Sequence, residues 1–138
     1  MNIVYTTQVT ASGGRDGHAK SDDGLLDLPL SMPGNMGGAG KAATNPEQLF
    51  GAGYASCFEN AVLHVAKQGG HKLGKTEVTS EVSLGINDDG SFGLEVTLNV
   101  TVEGVEGDAL NAIVKEADRL CPYSNAVRGN VPVQINIL

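Results

Sequence analysis

The feature that most constrains the fold is a long apolar segment that ends near Lys67. Thr44-Asn45-Pro46-Glu47 opens this segment with the spacing of a capping box and with proline in the first turn, and Gly69-Gly70 closes it. Its side chains are apolar on most faces of the predicted helix, which is typical of a buried helix and not of one that lies on a surface. The rest of the chain is therefore expected to pack around a central helix.

Strands and a second helix follow this segment. Residues 77–86 and 92–102 alternate between apolar and polar side chains, and Asn87-Asp88-Asp89-Gly90 joins them as a hairpin. A second helix is predicted to begin with Asp108 as its cap and to end before Pro122. Alternation over residues 131–137 predicts a last strand.

Short strands are predicted before the central helix. Residues 2–11 alternate, and Asp22-Asp23-Gly24 indicates a hairpin between residues 18–21 and 25–30. The resulting order, β-β-β-α-β-β-α-β, predicts an α+β fold with antiparallel sheets packed on a buried central helix. No internal repeat or linker divides the chain, so residues 1–138 are expected to form a single domain.

Charge and hydropathy argue against several classes of function. The formal net charge is −7 and the basic residues are not clustered, which disfavours binding to nucleic acid. No apolar run is long enough to span a membrane, and the first residues lack the features of a secretory signal. We therefore expect a cytoplasmic protein with no membrane partner.

The two cysteines have the side chains best suited to covalent chemistry: Cys57 in the first helix and Cys121 at the end of the second. Residue pattern alone leaves open that both are inert, because a free cysteine packs as a small hydrophobe. His18, His64 and His71 lie far apart and neither cysteine belongs to a C-x-x-C pair, so no zinc site is predicted. A Cys–His hydrolase is also disfavoured, because His64 is two turns from Cys57 on one helix.

A peroxide-reducing cysteine would need a nearby cation to favour the thiolate, an apolar pocket, and a second thiol that traps the sulfenic acid. Arg15 is a candidate cation, and Leu49, Phe50 and Phe58 are candidates for an apolar wall. By pattern alone the simpler interpretations prevail for the charged residues: Arg15 as a solvated loop charge and Glu47 as a helix-capping carboxylate. The three apolar residues fit a plain core equally well.

Three strings of residues resemble the organic hydroperoxide resistance (Ohr) proteins, a branch of the OsmC-like family. They are Gly13-Gly14-Arg15-Asp16-Gly17, then Thr44-Asn45-Pro46-Glu47-Gln48-Leu49-Phe50 continuing to Gly53-Tyr54-Ala55-Ser56-Cys57-Phe58, and Cys121-Pro122-Tyr123-Ser124-Asn125-Ala126. The resemblance covers the whole chain in order, and the Arg15 string distinguishes the Ohr branch from its relatives.

The resemblance implies a thiol peroxidase that uses no metal, flavin or other cofactor and prefers alkyl and lipid hydroperoxides to hydrogen peroxide. It also implies an intertwined homodimer with two active sites at the subunit interface, recycled by dihydrolipoyl groups of lipoylated proteins. Four residues match the family's catalytic positions. Cys57 matches the peroxidatic cysteine, Cys121 the resolving cysteine, Arg15 the residue that holds the thiolate, and Glu47 the carboxylate that orients the arginine.

Two alternative functions stay open at this point. One is a general OsmC-like stress peroxidase with a different preferred peroxide. The other is a non-catalytic redox sensor that forms the same disulfide as a signal, although the chain has no evident output module. The relative rates with hydrogen peroxide and an organic hydroperoxide distinguish the first alternative, and disulfide formation without turnover identifies the second.

The position of Glu47 raises a geometric question. Glu47 precedes Cys57 by ten residues on one predicted helix, so about 15 Å separate them along the axis at ~1.5 Å per residue. Either the helix breaks after Glu47, or Arg15 and Glu47 act on Cys57 of the other subunit. We favour the second arrangement and expect small residues such as Gly51, Gly53 and Ala55 to let the two chains approach closely.

Overall fold

The computed structural model describes residues 1–138, which form two compact units, residues 1–49 and residues 50–138. The elements in chain order are β1 (Val9–Ser12), β2 (His18–Ser21), β3 (Asp27–Pro29), α1 (Pro46–Gln68), β4 (Thr76–Ile86), β5 (Phe92–Val102), α2 (Gly107–Leu120), α3 (Pro122–Val127) and β6 (Val133–Ile137). Two short 3-10 helices, Gly14–Asp16 and Gly34–Met36, lie in the connecting loops. The predicted α+β class is confirmed.

The first unit contains a small antiparallel sheet with the strand order β1-β2-β3. The predicted strand over residues 2–11 is wrong for its first part, because β2 ends at Ser21, opposite Val9, and residues 2–8 have no partner strand. Ser12 pairs with His18, so a tight loop joins β1 to β2. Gly17 closes that loop, and a Cβ there would lie 1.7 Å from the carbonyl oxygen of Ser12.

Helix α1 begins and ends where its sequence signals predict. The cap is Asn45 and not Thr44, because Asn45 Oδ1 accepts the backbone N–H of Gln48 at 2.9 Å. The capping-box prediction is therefore wrong, and the side chain of Glu47 makes other contacts. The helix runs without a break from Pro46 to Gln68.

One face of helix α1 is buried within this chain, although apolar residues occur on most of its faces. The buried residues recur with helical spacing and are Gly51, Tyr54, Phe58, Ala61, Val62 and Ala66. The other side of the helix, which includes Ala52, Ser56 and Leu63, is exposed. Burial of the helix is therefore confirmed for one face.

The second unit contains a sheet with the strand order β4-β5-β6. β4 and β5 pair antiparallel along their whole length, as predicted. β6 runs parallel to β5, with Val133 opposite Val96, so the prediction of antiparallel sheets is wrong for this strand. A parallel partner requires a crossover connection, which α2 and α3 supply between β5 and β6.

One hydrophobic core fills the second unit, with its largest fully buried side chains from α1, β5 and the end of α2. They are Tyr54, Phe58, Leu98, Val62, Val100 and Cys121. Asp108 lies in the first turn of α2 and is not its cap, which is Glu106. Pro122 ends α2 as predicted, but it also begins an unpredicted third helix, α3, since proline is favoured in the first turn.

Candidate active site

Arg15 and Glu47 form a two-pronged ion pair in the first unit. Arg15 Nη1 donates to Glu47 Oε2 at 2.7 Å, and Nη2 donates to Oε1 at 2.6 Å. The planar guanidinium matches the two carboxylate oxygens, so this arrangement fixes the direction of both side chains. Their side chains are 28% and 16% exposed, which leaves the cation partly accessible.

The loop that carries Arg15 and the start of α1, which carries Glu47, are both hydrogen-bonded to the backbone of residues 31–32. Asp16 Oδ1 accepts the N–H of Met32 at 3.0 Å. The next residue back, Ser31, donates its N–H to the carbonyl oxygen of Thr44 at 3.0 Å, just before α1. Residues 31–32 thus connect the 3-10 helix that contains Arg15 to the first turn of α1, which contains Glu47.

The pair is charged at neutral pH. Hydrogen bonds from Arg15 hold the pKa of the Glu47 carboxyl below its ordinary value, although partial burial opposes this effect. Glu47 in turn raises the pKa of the Arg15 guanidinium. A positioned cation of this kind can stabilise a thiolate or another anion that comes within reach.

Cys57 and Cys121 are neighbours in the second unit, and both are free thiols. Cys57 lies in α1 and is partly buried, whereas Cys121 lies fully buried between α2 and α3. Burial raises the pKa of the Cys57 thiol, the adjacent Cys121 raises it further, and the backbone N–H of Tyr123 lowers it. Two such thiols can interconvert between dithiol and disulfide.

Cys121 occupies the corner between two helices. It is the residue that ends α2 and the residue that precedes α3, with an extended backbone (φ −63°, ψ 120°). Its N–H still donates to the carbonyl oxygen of Ala117 at 2.8 Å, and its own carbonyl oxygen accepts the N–H of Asn125 at 3.0 Å. We call residues 119–125 the elbow, because the chain changes direction there.

The elbow packs on α1 through aromatic side chains. Tyr123 stacks on Tyr54 with ring centroids 5.8 Å apart, and Phe50 meets both rings edge-on. Gly53 leaves the space that Tyr123 fills, since a Cβ at Gly53 would lie 2.6 Å from the Tyr123 hydroxyl. Gly51 similarly admits Val82 of β4. Close packing within one chain therefore accounts for both glycines.

A buried hydrogen bond links the two elements that carry the thiols. Tyr54 Oη and Ser124 Oγ are 2.9 Å apart, and the two residues are 0% and 2% exposed. Neither residue is among the site residues predicted from the sequence. Their spacing was a usable signal, because each lies three positions from a cysteine.

The structure brings the four predicted catalytic residues together as two pairs, each within its own unit: Arg15 with Glu47, and Cys57 with Cys121. Of the proposed apolar wall, Phe58 belongs to the core at 0% exposure, whereas Phe50 stays partly exposed. No group of three or more His, Cys, Asp or Glu side chains is placed to hold a metal ion. None of the helices is both long and apolar enough to span a membrane.

Comparison with known proteins gives one consistent result. The family model described as OsmC-like protein matches residues 38–136. An organic hydroperoxide resistance protein of Xanthomonas axonopodis pv. citri is 46% identical, over 98% of this chain and 95% of the relative. The crystal structure of an organic hydroperoxide resistance protein from Legionella pneumophila is 48% identical with a TM-score of 0.94, over 99% of this chain and 98% of that one. OhrB of Bacillus subtilis is 44% identical with a TM-score of 0.89, over 97% and 98%.

Proposed function

The chain belongs to the OsmC-like family, and from this premise we propose that it is a cysteine-based peroxidase that reduces organic hydroperoxides to alcohols. The names of its relatives support a role in the removal of organic peroxides. The observation that carries the cysteine chemistry is the pair of neighbouring free thiols, Cys57 and Cys121, on two elements packed against each other.

In the first step, the Cys57 thiolate attacks the distal oxygen of the hydroperoxide. The S–O bond forms as the O–O bond breaks, the sulfur is oxidised to a sulfenic acid, and the alkoxide takes a proton and leaves as the alcohol. Cys57 suits this role better than Cys121, because Cys57 is partly exposed and Cys121 is fully buried. The partly exposed ring of Phe50 supplies apolar surface for an alkyl chain.

Burial and Cys121 raise the pKa of Cys57, so a nearby cation would favour the thiolate that the first step needs. We assign this role to Arg15, which Glu47 holds in a fixed orientation. The guanidinium favours the thiolate and can donate to a peroxide oxygen. Glu47 is then a positioning residue that acts through Arg15.

In the second step, the Cys121 thiol attacks the sulfur of the Cys57 sulfenic acid, a disulfide forms, and the hydroxyl leaves as water. A dithiol then reopens the disulfide by exchange and is itself oxidised. We propose dihydrolipoyl groups of lipoylated proteins as this reductant and expect no bound cofactor. We also expect a single cytoplasmic domain of residues 1–138 and no nucleic-acid or membrane partner.

The unbroken helix α1 helps to decide whether Arg15 acts on Cys57 of its own chain or on Cys57 of a partner subunit. The alternative in which the helix breaks after Glu47 is excluded, because α1 continues to Gln68. We therefore propose an intertwined homodimer in which Arg15 and Glu47 act on Cys57 of the partner subunit. Mixing inactive Glu47→Ala with inactive Cys57→Ser subunits after reversible unfolding should recover activity, because one site of each mixed dimer is intact. Mixed dimers without activity would place the pair in its own chain.

Steady-state turnover tests the function directly. We expect rapid reduction of cumene hydroperoxide, slower reduction of hydrogen peroxide, and support by dihydrolipoamide and not by thioredoxin. Cys57→Ser is the matched inactive control. Equal or faster turnover of hydrogen peroxide would identify a general stress peroxidase, and a Cys57–Cys121 disulfide that forms without turnover would identify a redox sensor.

A further inference from the structure

We propose that the buried hydroxyl pair of Tyr54 and Ser124 is a positioning device for the resolving thiol. It holds the elbow on α1, so that Cys121 traps the Cys57 sulfenic acid before a second peroxide molecule does. This inference rests on the proposed function and adds two residues to it. Neither hydroxyl is assigned a direct part in the chemistry.

Each hydroxyl has the same spacing from a cysteine. Tyr54 precedes Cys57 by three residues on α1, and Ser124 follows Cys121 by three residues at the start of α3. Residues three apart on a helix lie on the same side of it. A hydrogen bond of 2.9 Å between the hydroxyls therefore fixes how the two cysteine-bearing segments lie against each other.

The hydroxyl pair lies in a buried environment. Both residues are almost fully buried, at 0% and 2% exposure, and a buried hydroxyl without a partner is costly. Breaking this hydrogen bond would therefore leave a buried hydroxyl unpaired and would cost free energy. The bond favours the closed position of the elbow more than a surface hydrogen bond would.

The remaining side-chain hydrogen bonds of the elbow lie on its solvent side. Arg128 donates to the carbonyl oxygen of Asp118 at 2.9 Å and to Asn125, and Asn125 donates to the carbonyl oxygen of Arg119 at 3.2 Å. These exposed bonds tie α3 to α2. On its inner side, the elbow is attached to the helix that carries Cys57 by the buried hydroxyl pair, by the stacked rings of Tyr54 and Tyr123, and by the contacts that Cys57 makes with Cys121 and with the backbone N–H of Tyr123.

The position of Cys121 matters because the sulfenic acid has two competing fates. Attack by Cys121 gives the disulfide and water, whereas attack on a second hydroperoxide gives a sulfinic acid and another alcohol. The first route is intramolecular and depends on geometry, whereas the second depends on peroxide concentration. A loosened elbow should slow disulfide formation without changing the initial attack on the peroxide.

The test measures both steps in the full-length protein with cumene hydroperoxide. We expect Tyr54→Phe and Ser124→Ala each to keep the rate of Cys57 oxidation and to slow disulfide formation roughly fivefold, the factor of one net hydrogen bond. The over-oxidised fraction of Cys57, measured by mass spectrometry at fixed peroxide excess, should rise in proportion. Ser56→Ala is the matched control, because it removes an exposed hydroxyl of α1 that bonds only within the helix.

Two further variants separate positioning from general destabilisation. Ser124 lines a pocket of about 250 Å³, and Ser124→Thr, which keeps the hydroxyl, should resolve at the wild-type rate. The double variant Tyr54→Phe/Ser124→Ala should be no slower than either single variant, because it leaves no unpaired hydroxyl.

Single variants that form the disulfide at the wild-type rate would overturn the inference. So would single variants in which both steps slow equally. A wild-type protein that forms no Cys57–Cys121 disulfide with peroxide would instead refute the proposed function, so the two failures are distinguishable.

Discussion

Gly53→Ala tests how closely the elbow must approach α1. The added Cβ would lie 2.6 Å from Tyr123 Oη and 3.0 Å from Cζ. Ordinary contact needs about 3.5 Å, so the ring must retreat by about 0.9 Å. Tyr123 is 38% exposed and can move more readily than the buried helix face beneath it.

The displacement should reach the reactive thiol, because the backbone N–H of Tyr123 lowers the pKa of Cys57. A hydrogen bond to a charged group contributes about 1.5 kcal/mol, which corresponds to about one pKa unit. Complete loss would therefore reduce the thiolate at neutral pH about tenfold, and a partial shift would reduce it less. The fold itself should not suffer, since alanine is favoured over glycine in a helix by about 1 kcal/mol.

The assay is the rate of alkylation of Cys57 against pH, in a Cys121→Ser background so that one thiol reacts. Gly53→Ala should shift the curve to higher pH at unchanged thermal stability. Gly53→Ala/Tyr123→Ala keeps the backbone N–H and removes the ring, so it should restore the curve, with Tyr123→Ala as its control. An unshifted curve for Gly53→Ala, or a double variant as impaired as the single one, would refute this reasoning.

Three further predictions concern the proposed catalytic residues. Cys57→Ser should abolish peroxide reduction, whereas Cys121→Ser should react once and then over-oxidise, as mass spectrometry after peroxide treatment will show; the opposite pattern would exchange the two roles. Arg15→Ala should raise the pKa of Cys57 and slow its alkylation at neutral pH, and an unchanged titration would make Arg15 a solvated loop charge. Glu47→Gln should lower the free energy of unfolding by about 1–3 kcal/mol at neutral pH. Because Arg15 holds the pKa of Glu47 below its ordinary 4.5, the difference in unfolding free energy between wild type and Glu47→Gln should be present above that value and vanish as the pH falls through the lowered pKa. Urea unfolding measures this difference at neutral pH and at about pH 3. The same difference at both pH values would contradict the expectation.

The elements whose signals are local could be predicted from the sequence. Proline and paired glycines mark the ends of α1, and Asn87-Asp88-Asp89-Gly90 marks the turn between β4 and β5. The direction of β6 could not be predicted, since an alternating strand looks the same in a parallel and an antiparallel pair. The cap of α1 was assigned to the wrong residue because two neighbouring side chains both suit that position.

For the candidate site too, the sequence indicated some features and only the structure showed the others. The strings around Arg15, Glu47, Cys57 and Cys121 indicated which residues to consider, and the match to the OsmC-like family confirms the family that they resemble. The pairing of Glu47 with Arg15, 32 positions away, was expected from the resemblance alone, because no local pattern in the sequence joins the two residues. The sequence could not show that Tyr54 bonds to Ser124, 70 positions away. Spacing along the chain determines which side of an element a residue occupies, whereas only the packing of α1 against the elbow decides which of those sides meet.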